Sequence, residues 1–155
     1  MKQFKFENGS EVDGLKEYVA SIFRAWVLDK EFKVFVGCDS QNKRYVTSYA
    51  TCIVFKYGTR GAHVIHCRDN VRPKIKDRWQ RLWGEVERSL EVAQWLRNNG
   101  FKVDRIDLDF NEKEIARSSE MVASARGYVL GMGFECDVKP GMVSATRAAD
   151  HLVRQ

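Results

Sequence analysis

Apolar residues recur along the chain with two alternating periods. Val12, Leu15, Val19, Ile22, Phe23 and Trp26 share the spacing of one helix face and predict a helix over 11–28. Ser10 and Asp13 at its start match a capping box, with Ser10 as N-cap. From 32 the period changes. Phe32-Lys33-Val34-Phe35-Val36-Gly37-Cys38 is rich in β-branched and aromatic residues and stops at the polar Asp39-Ser40-Gln41-Asn42. That pattern predicts a buried strand running into an exposed loop. Two more strand-like runs follow, over 44–57 and 62–68, parted by the turn residues Gly58-Thr59-Arg60-Gly61. Consecutive strands joined by short turns predict an antiparallel meander. Helical spacing returns over 77–98, where Trp79, Leu82, Trp83, Val86, Leu90, Ala93 and Leu96 share a face and Gly100 offers a left-handed stop. A fourth strand is predicted over 101–110, a helix over 112–131, a fifth strand over 134–138 and a short amphipathic helix over 144–153.

The predicted order is α-β-β-β-α-β-α-β-α. The fourth and fifth strands flank a helix, so they are expected to be parallel with a right-handed crossover. The fold class is therefore α/β: a mixed five-stranded sheet of order 3-2-1-4-5, flanked by helices and preceded by an N-terminal helix. This is the ribonuclease H-like architecture. A length of 155 residues suits one such domain over 1–155, with no repeat or low-complexity segment. A hydrophobic fraction of 44% with 18 aromatic residues excludes disorder as the main state.

Charge and cysteine usage narrow the class further. The net charge is +5, and eight of the basic residues lie between Lys56 and Arg81, opposed there only by Asp69 and Asp77. Such a run suits a surface that tracks phosphates, or a solvated loop and helix face. Cys38, Cys52, Cys67 and Cys136 form no C-x-x-C pair and no zinc-finger spacing, and read as reduced, mostly buried thiols. No apolar run is long enough to span a membrane and the first residues hold no secretory apolar region, so the expected location is cytoplasmic. The oligomeric state is left open, with a dimer allowed. His63 and His66 read as strand residues, and Trp79, Trp83 and Trp95 as core at helical spacing rather than base-stacking groups.

Metal-dependent phosphoryl transfer needs several carboxylates converging on one point, and hard cations such as magnesium prefer oxygen ligands. Asp39 closes the first strand. Asp107 and Asp109 share one face of the fourth, and Asp109 is nearer its end. Glu85 and its rival Glu87 project from the long helix, where either could instead pair with Arg78, Arg81 or Arg88. Asp150 lies on the last helix. One acid each from the first strand, the helix, the fourth strand and the last helix is the ribonuclease H-like arrangement. Around them, Ser40 and Gln41 could bond a phosphate or simply turn the loop. Lys74 and Lys76 belong to the basic run, and Lys139 beside Pro140 is a candidate substrate contact.

The blocks Val36-Gly37-Cys38-Asp39-Ser40-Gln41, Tyr49-Ala50-Thr51-Cys52-Ile53-Val54, Leu108-Asp109, Val138-Lys139-Pro140 and Ala148-Ala149-Asp150 resemble the bacterial ribonuclease H-like YkuK family, over roughly residues 10–153. The chain departs from that pattern at Cys38, where threonine is expected, and at Asp107, where histidine is expected. The resemblance implies a nuclease with a RuvC/ribonuclease H-type site. Asp39, Glu85, Asp109 and Asp150 would be its catalytic residues and metal ligands, and Mg2+ or Mn2+ its cofactor. The expected function is hydrolysis of phosphodiester bonds in RNA or DNA. The alternative is an inactive ribonuclease H-like protein that binds nucleic acid or serves assembly.

Overall fold

The computed structural model describes residues 1–110 and 119–138. Its central strands are the two longest, β2 (Phe32–Asn42) and β3 (Thr47–Tyr57), paired antiparallel from Phe32↔Tyr57 to Asn42↔Thr47. β4 (Ala62–Val71) continues the meander beside β3. On the other side β5 (Arg105–Leu108) runs parallel to β2, with Val36 opposite Ile106 and Gly37 opposite Asp107. β6 (Cys136–Val138) runs parallel to β5. These five strands have the expected order, and a short edge strand β1 (Lys5–Phe6) adds a sixth, antiparallel to β4.

The extra strand corrects the N-terminal reading. Residues 4–12 form a hairpin-like turn in which Val12 N donates to Phe4 O at 2.9 Å, burying Phe4. Ser10 is no helix cap: its N–H and hydroxyl both donate to Asn8 Oδ1, at 2.9 and 2.6 Å. The helix α1 begins later, at Leu15, behind Gly14 at φ +59, and spans Leu15–Trp26 rather than 11–28. The polar end of β2 is a second correction. Asp39-Ser40-Gln41-Asn42 stays in the ladder, Asp39 and Ser40 opposite Ala50 and Tyr49 and Gln41 and Asn42 opposite the equally polar Ser48 and Thr47, and the loop is only residues 43–46, closed by Lys43 N to Val46 O at 2.8 Å.

The helix α2 (Arg78–Asn98) follows its period closely. Asp77 caps it, its carboxylate accepting from Trp79 N at 3.0 Å, and Gly100 at φ +83 ends it. The third helix, α3, is described over Ser119–Gly131. The side-chain period of two divides the strands into two faces. Val34, Val36, Ile53, Phe55, Ile65, Ile106 and Leu108 lie in one apolar cluster with Val19 and Ile22 of α1, Leu82, Val86, Leu90, Ala93 and Leu96 of α2, and Met121, Ala125 and Val129 of α3. Phe35, Ala50, Cys52, Val54 and Val64 form a smaller cluster on the opposite face. Each fully buried aliphatic side chain in these clusters is worth about 1.5–3 kcal/mol, against roughly 0–1 kcal/mol for an exposed pair such as Lys102–Asp104. The apolar clusters, not surface charge, hold the sheet to its helices. The four cysteines are free, three of them buried. Among the described residues no helix is long and apolar enough to cross a membrane.

Candidate active site at the end of β2

Alternation along β2 puts Asp39 on the face of Phe35 and Ala50, and Ser40 on the opposite face, toward α2. The Ser40 hydroxyl donates to Glu85 Oε1 at 2.5 Å. Glu85 is only 6% exposed. Its position explains this: three residues past Leu82 and one before Val86, it belongs to the sheet-facing side of α2. Glu87 is exposed, so burial separates the two rivals and singles out Glu85.

Gly84 lets α2 come this close to the sheet. A Cβ there would overlap the hydroxyl of Tyr49 and lie 2.9 Å from its Cζ. Tyr49 is itself fully buried, donates to Arg81 O at 3.0 Å, and carries the Arg88 guanidinium 3.7 Å over its ring. Arg88 donates to Asp69 at 2.7 Å and to Gly84 O at 3.1 Å. Both groups brace the helix against β3 and β4 beside Glu85.

Burial pushes the Glu85 carboxyl well above the ordinary carboxylate range, and the negative charge of Asp39 pushes it further. Hydrogen bonds from Ser40 and the charge of Arg81 offset only part of this. A buried carboxylate beside a second one is costly unless a proton or a cation compensates it. Asp39 and Glu85 offer oxygen donors of the kind a hard divalent cation takes, reaching the β2 strand from its two faces.

The fourth-strand acids divide by burial as well. Asp107 is fully buried and accepts from Arg105 Nε at 2.5 Å, while the Arg105 guanidinium also lies 4.1 Å over the Phe35 ring. Asp109 is half-buried, one residue past the end of β5. Continuing the Gly37↔Asp107 register by two residues brings Asp109 level with Asp39 at the same end of the sheet. Among the described residues no three His, Cys, Asp or Glu side chains gather into a metal-binding group. Asp150 and Lys139 lie outside the described residues.

The basic run approaches the same end of the sheet. Ile75 N donates to Thr47 Oγ1 at 2.8 Å, Asn42 Nδ2 donates to Ile75 O at 3.0 Å, and Thr47 Oγ1 donates to Asn42 Oδ1 at 2.6 Å. These bonds pin the β4–α2 loop to the last pair of the β2–β3 ladder. Lys74, half-buried, and Lys76, exposed, flank that anchor. Gln41 is half-buried within β2. Sequence reasoning missed the bracing set of Tyr49, Gly84 and Arg88, whose only signal was a glycine inside a strong helical pattern. It also assigned Trp79 to the core, whereas Trp79 is 46% exposed. Trp83 and Trp95 are partly buried against the core as expected.

A search of curated proteins gives no match. A solved structure, RNase H1 from the halophilic archaeon Halobacterium salinarum NRC-1, aligns at 18% identity and a TM-score of 0.42, covering 79% of this chain and 98% of that one. The sequence model of the family described as Ribonuclease H-like matches residues 18–154, taking in every strand from β2 to β6 and all four proposed acids. This match places the chain in the ribonuclease H-like family, in keeping with its six-stranded mixed sheet.

Proposed function

We propose that the chain is a divalent-metal-dependent nuclease that hydrolyses phosphodiester bonds of nucleic acid at the end of β2. The observation that carries this reading is the buried Glu85 carboxyl, held by the Ser40 hydroxyl one residue from Asp39. A buried carboxylate near a second negative charge is unfavourable on its own account and favourable as a ligand. Asp39, Glu85, Asp109 and Asp150 would hold Mg2+ or Mn2+. When bound, such ions supply charge stabilisation to the attacking and leaving oxygens of an in-line displacement.

The chain's own residues do the rest. Ser40 orients the Glu85 carboxylate through its hydroxyl. Arg105 engages Asp107, which favours Asp109 as the acid of β5. Lys74, Lys76 and Lys139, with Ser40 and Gln41, are the proposed contacts to the substrate strand, and the pinned β4–α2 loop holds the first two beside Asn42.

The same basic loop favours a second reading, in which the chain binds nucleic acid without cleaving it. A panel of labelled single-stranded RNA, single-stranded DNA, RNA–DNA hybrid and four-way junction separates the two. With manganese or magnesium, cleavage of at least one substrate is expected, and Asp39→Asn removes it. Tight, salt-sensitive binding with no turnover on any substrate would overturn the nuclease reading in favour of the second.

A further inference from the structure

An exposed tryptophan beside a basic loop has no role in the acidic site. Trp79 is the second residue of α2 and 46% exposed. It forms one wall of an open groove of about 760 Å³, whose other sides include Val71, Ile75, Gln80, Trp83 and Ser124. Trp83 in turn packs against Tyr128 of α3, ring centroids 5.5 Å apart. The surroundings are charged unevenly. Arg72, Lys74 and Lys76 belong to the β4–α2 loop at one side. Asp77, Glu87 and Arg88 line the groove itself, Asp77 engaged as the cap of α2 and Arg88 engaged with Asp69.

This arrangement suits a ligand that is flat and uncharged at one end and anionic at the other. The apolar, aromatic wall accepts a planar ring. With Arg88 engaged by Asp69, the exposed Glu87 carboxylate disfavours an anion inside the groove, and the lysines favour one at its edge. A nucleotide within a single strand has that shape: its base stacks and its phosphate stays outside. An apolar peptide or a second copy of the chain would leave the basic edge without a counterpart. Trp79 and Glu85 are six residues apart on one helix, about 9 Å along its axis. The stacked base therefore belongs to the stretch of strand next to the acids.

We infer that this groove is a nucleobase subsite, in which a base of a single-stranded segment stacks on the Trp79 indole while its flanking phosphates lie against Lys74 and Lys76. The inference rests on the reading of the chain as a protein that acts on nucleic acid, and it names the form of the strand at that site.

The test is a binding titration without metal. The probes are a single-stranded oligonucleotide of about 12 nucleotides and an abasic strand of equal length. Trp79→Ala is expected to weaken the base-bearing strand about tenfold and to leave the abasic strand unchanged. Trp79→Phe, which keeps a ring, recovers most of the loss. Lys74→Ala weakens both strands and lowers the salt slope by about one. Equal effects of Trp79→Ala on both strands, or none on either, would overturn the subsite and leave the nuclease reading standing. So would a change in sedimentation mass with Trp79→Ala in place of a change in affinity. Failure of the wild-type protein to bind either strand would overturn both.

Discussion

The Ser40 hydroxyl donates to the buried Glu85 carboxylate at 2.5 Å, joining the last turn of the β2 ladder to the middle of α2. With the Ser40 backbone it orients the acid. Removing the hydroxyl loosens Glu85 while leaving every proposed ligand in place. Ser40→Ala is therefore expected to lower metal affinity about 10–100-fold, the usual effect of losing a group that orients a ligand. Calorimetric titration with Mn2+ measures it, and an unchanged affinity would show that the bond orients nothing that matters.

Gly84 is the point at which α2 meets Tyr49. An added methyl group overlaps a phenol that is fully buried and bonded to Arg81 O, so the ring cannot simply move aside. Overpacking of this kind costs about 1–3 kcal/mol. Gly84→Ala is expected to lower the melting temperature by about 2–4 °C for each kcal/mol in a chain of this size. Thermal denaturation checks it. A neutral result would mean that the helix stands off from the sheet more than described.

The two acids of the fourth strand are expected to respond in opposite ways. Asp107 is fully buried against Arg105, so Asp107→Asn weakens a charge-assisted bond and costs about 1–3 kcal/mol of stability. Asp109→Asn is expected to remove cleavage and to cost less stability than Asp107→Asn. Denaturation and activity measured on both variants decide the assignment. The reverse pattern would make Asp107 the ligand.

Acid is expected to destabilise the fold through His63. Its ring packs against Phe55 and Phe6, and its Nε2 lies 2.5 Å from the Tyr18 hydroxyl. Burial holds its pKa below the ordinary histidine value, with the charge of Glu7 offsetting part of the effect. The folded chain thus binds this proton less readily than the unfolded one. The stability involved is complete above the unfolded value of about 6.5 and is lost as pH falls through it. Through His63, as through the similarly shifted His66, the melting temperature should drop between about pH 7.5 and pH 5, while protonation of the buried Glu85 acts in the opposite direction. His63→Gln keeps a hydrogen-bonding group for Tyr18 and should shrink that drop. An equal drop in the variant would place the sensitive group elsewhere.

Much of the fold was legible because its signals were long and repeated. The period of α2 ran from the Asp77 cap to Gly100 without conflict, and the strand runs with their short turns dictated the meander and the crossover. The N-terminus was not legible. A two-residue strand carries no period, and the Ser10–Asp13 pattern that mimics a helix cap is used instead in a turn with Asn8. The polar tail of β2 looked like loop because its partners were unknown, yet Thr47 and Ser48 are polar too and the ladder continues through them. The sequence expectation that Asp39 closes the strand did not hold, since β2 runs on to Asn42. The choice of Glu85 over Glu87 was not legible, since both lie on a charged stretch of helix and only packing against Ser40 and Tyr49 separates them. Trp79 matched the core period but sits in the first turn of α2, where the helix overhangs the sheet.

The claim that the Asp39–Glu85 pair forms a metal-dependent catalytic site is tested most directly by the cleavage rate of Glu85→Gln. The substitution keeps an oxygen to accept from Ser40 and removes only the charge. The rate of metal-dependent cleavage is expected to fall about a hundredfold or more, with folding intact by circular dichroism. A variant that cleaves at the wild-type rate would contradict the account.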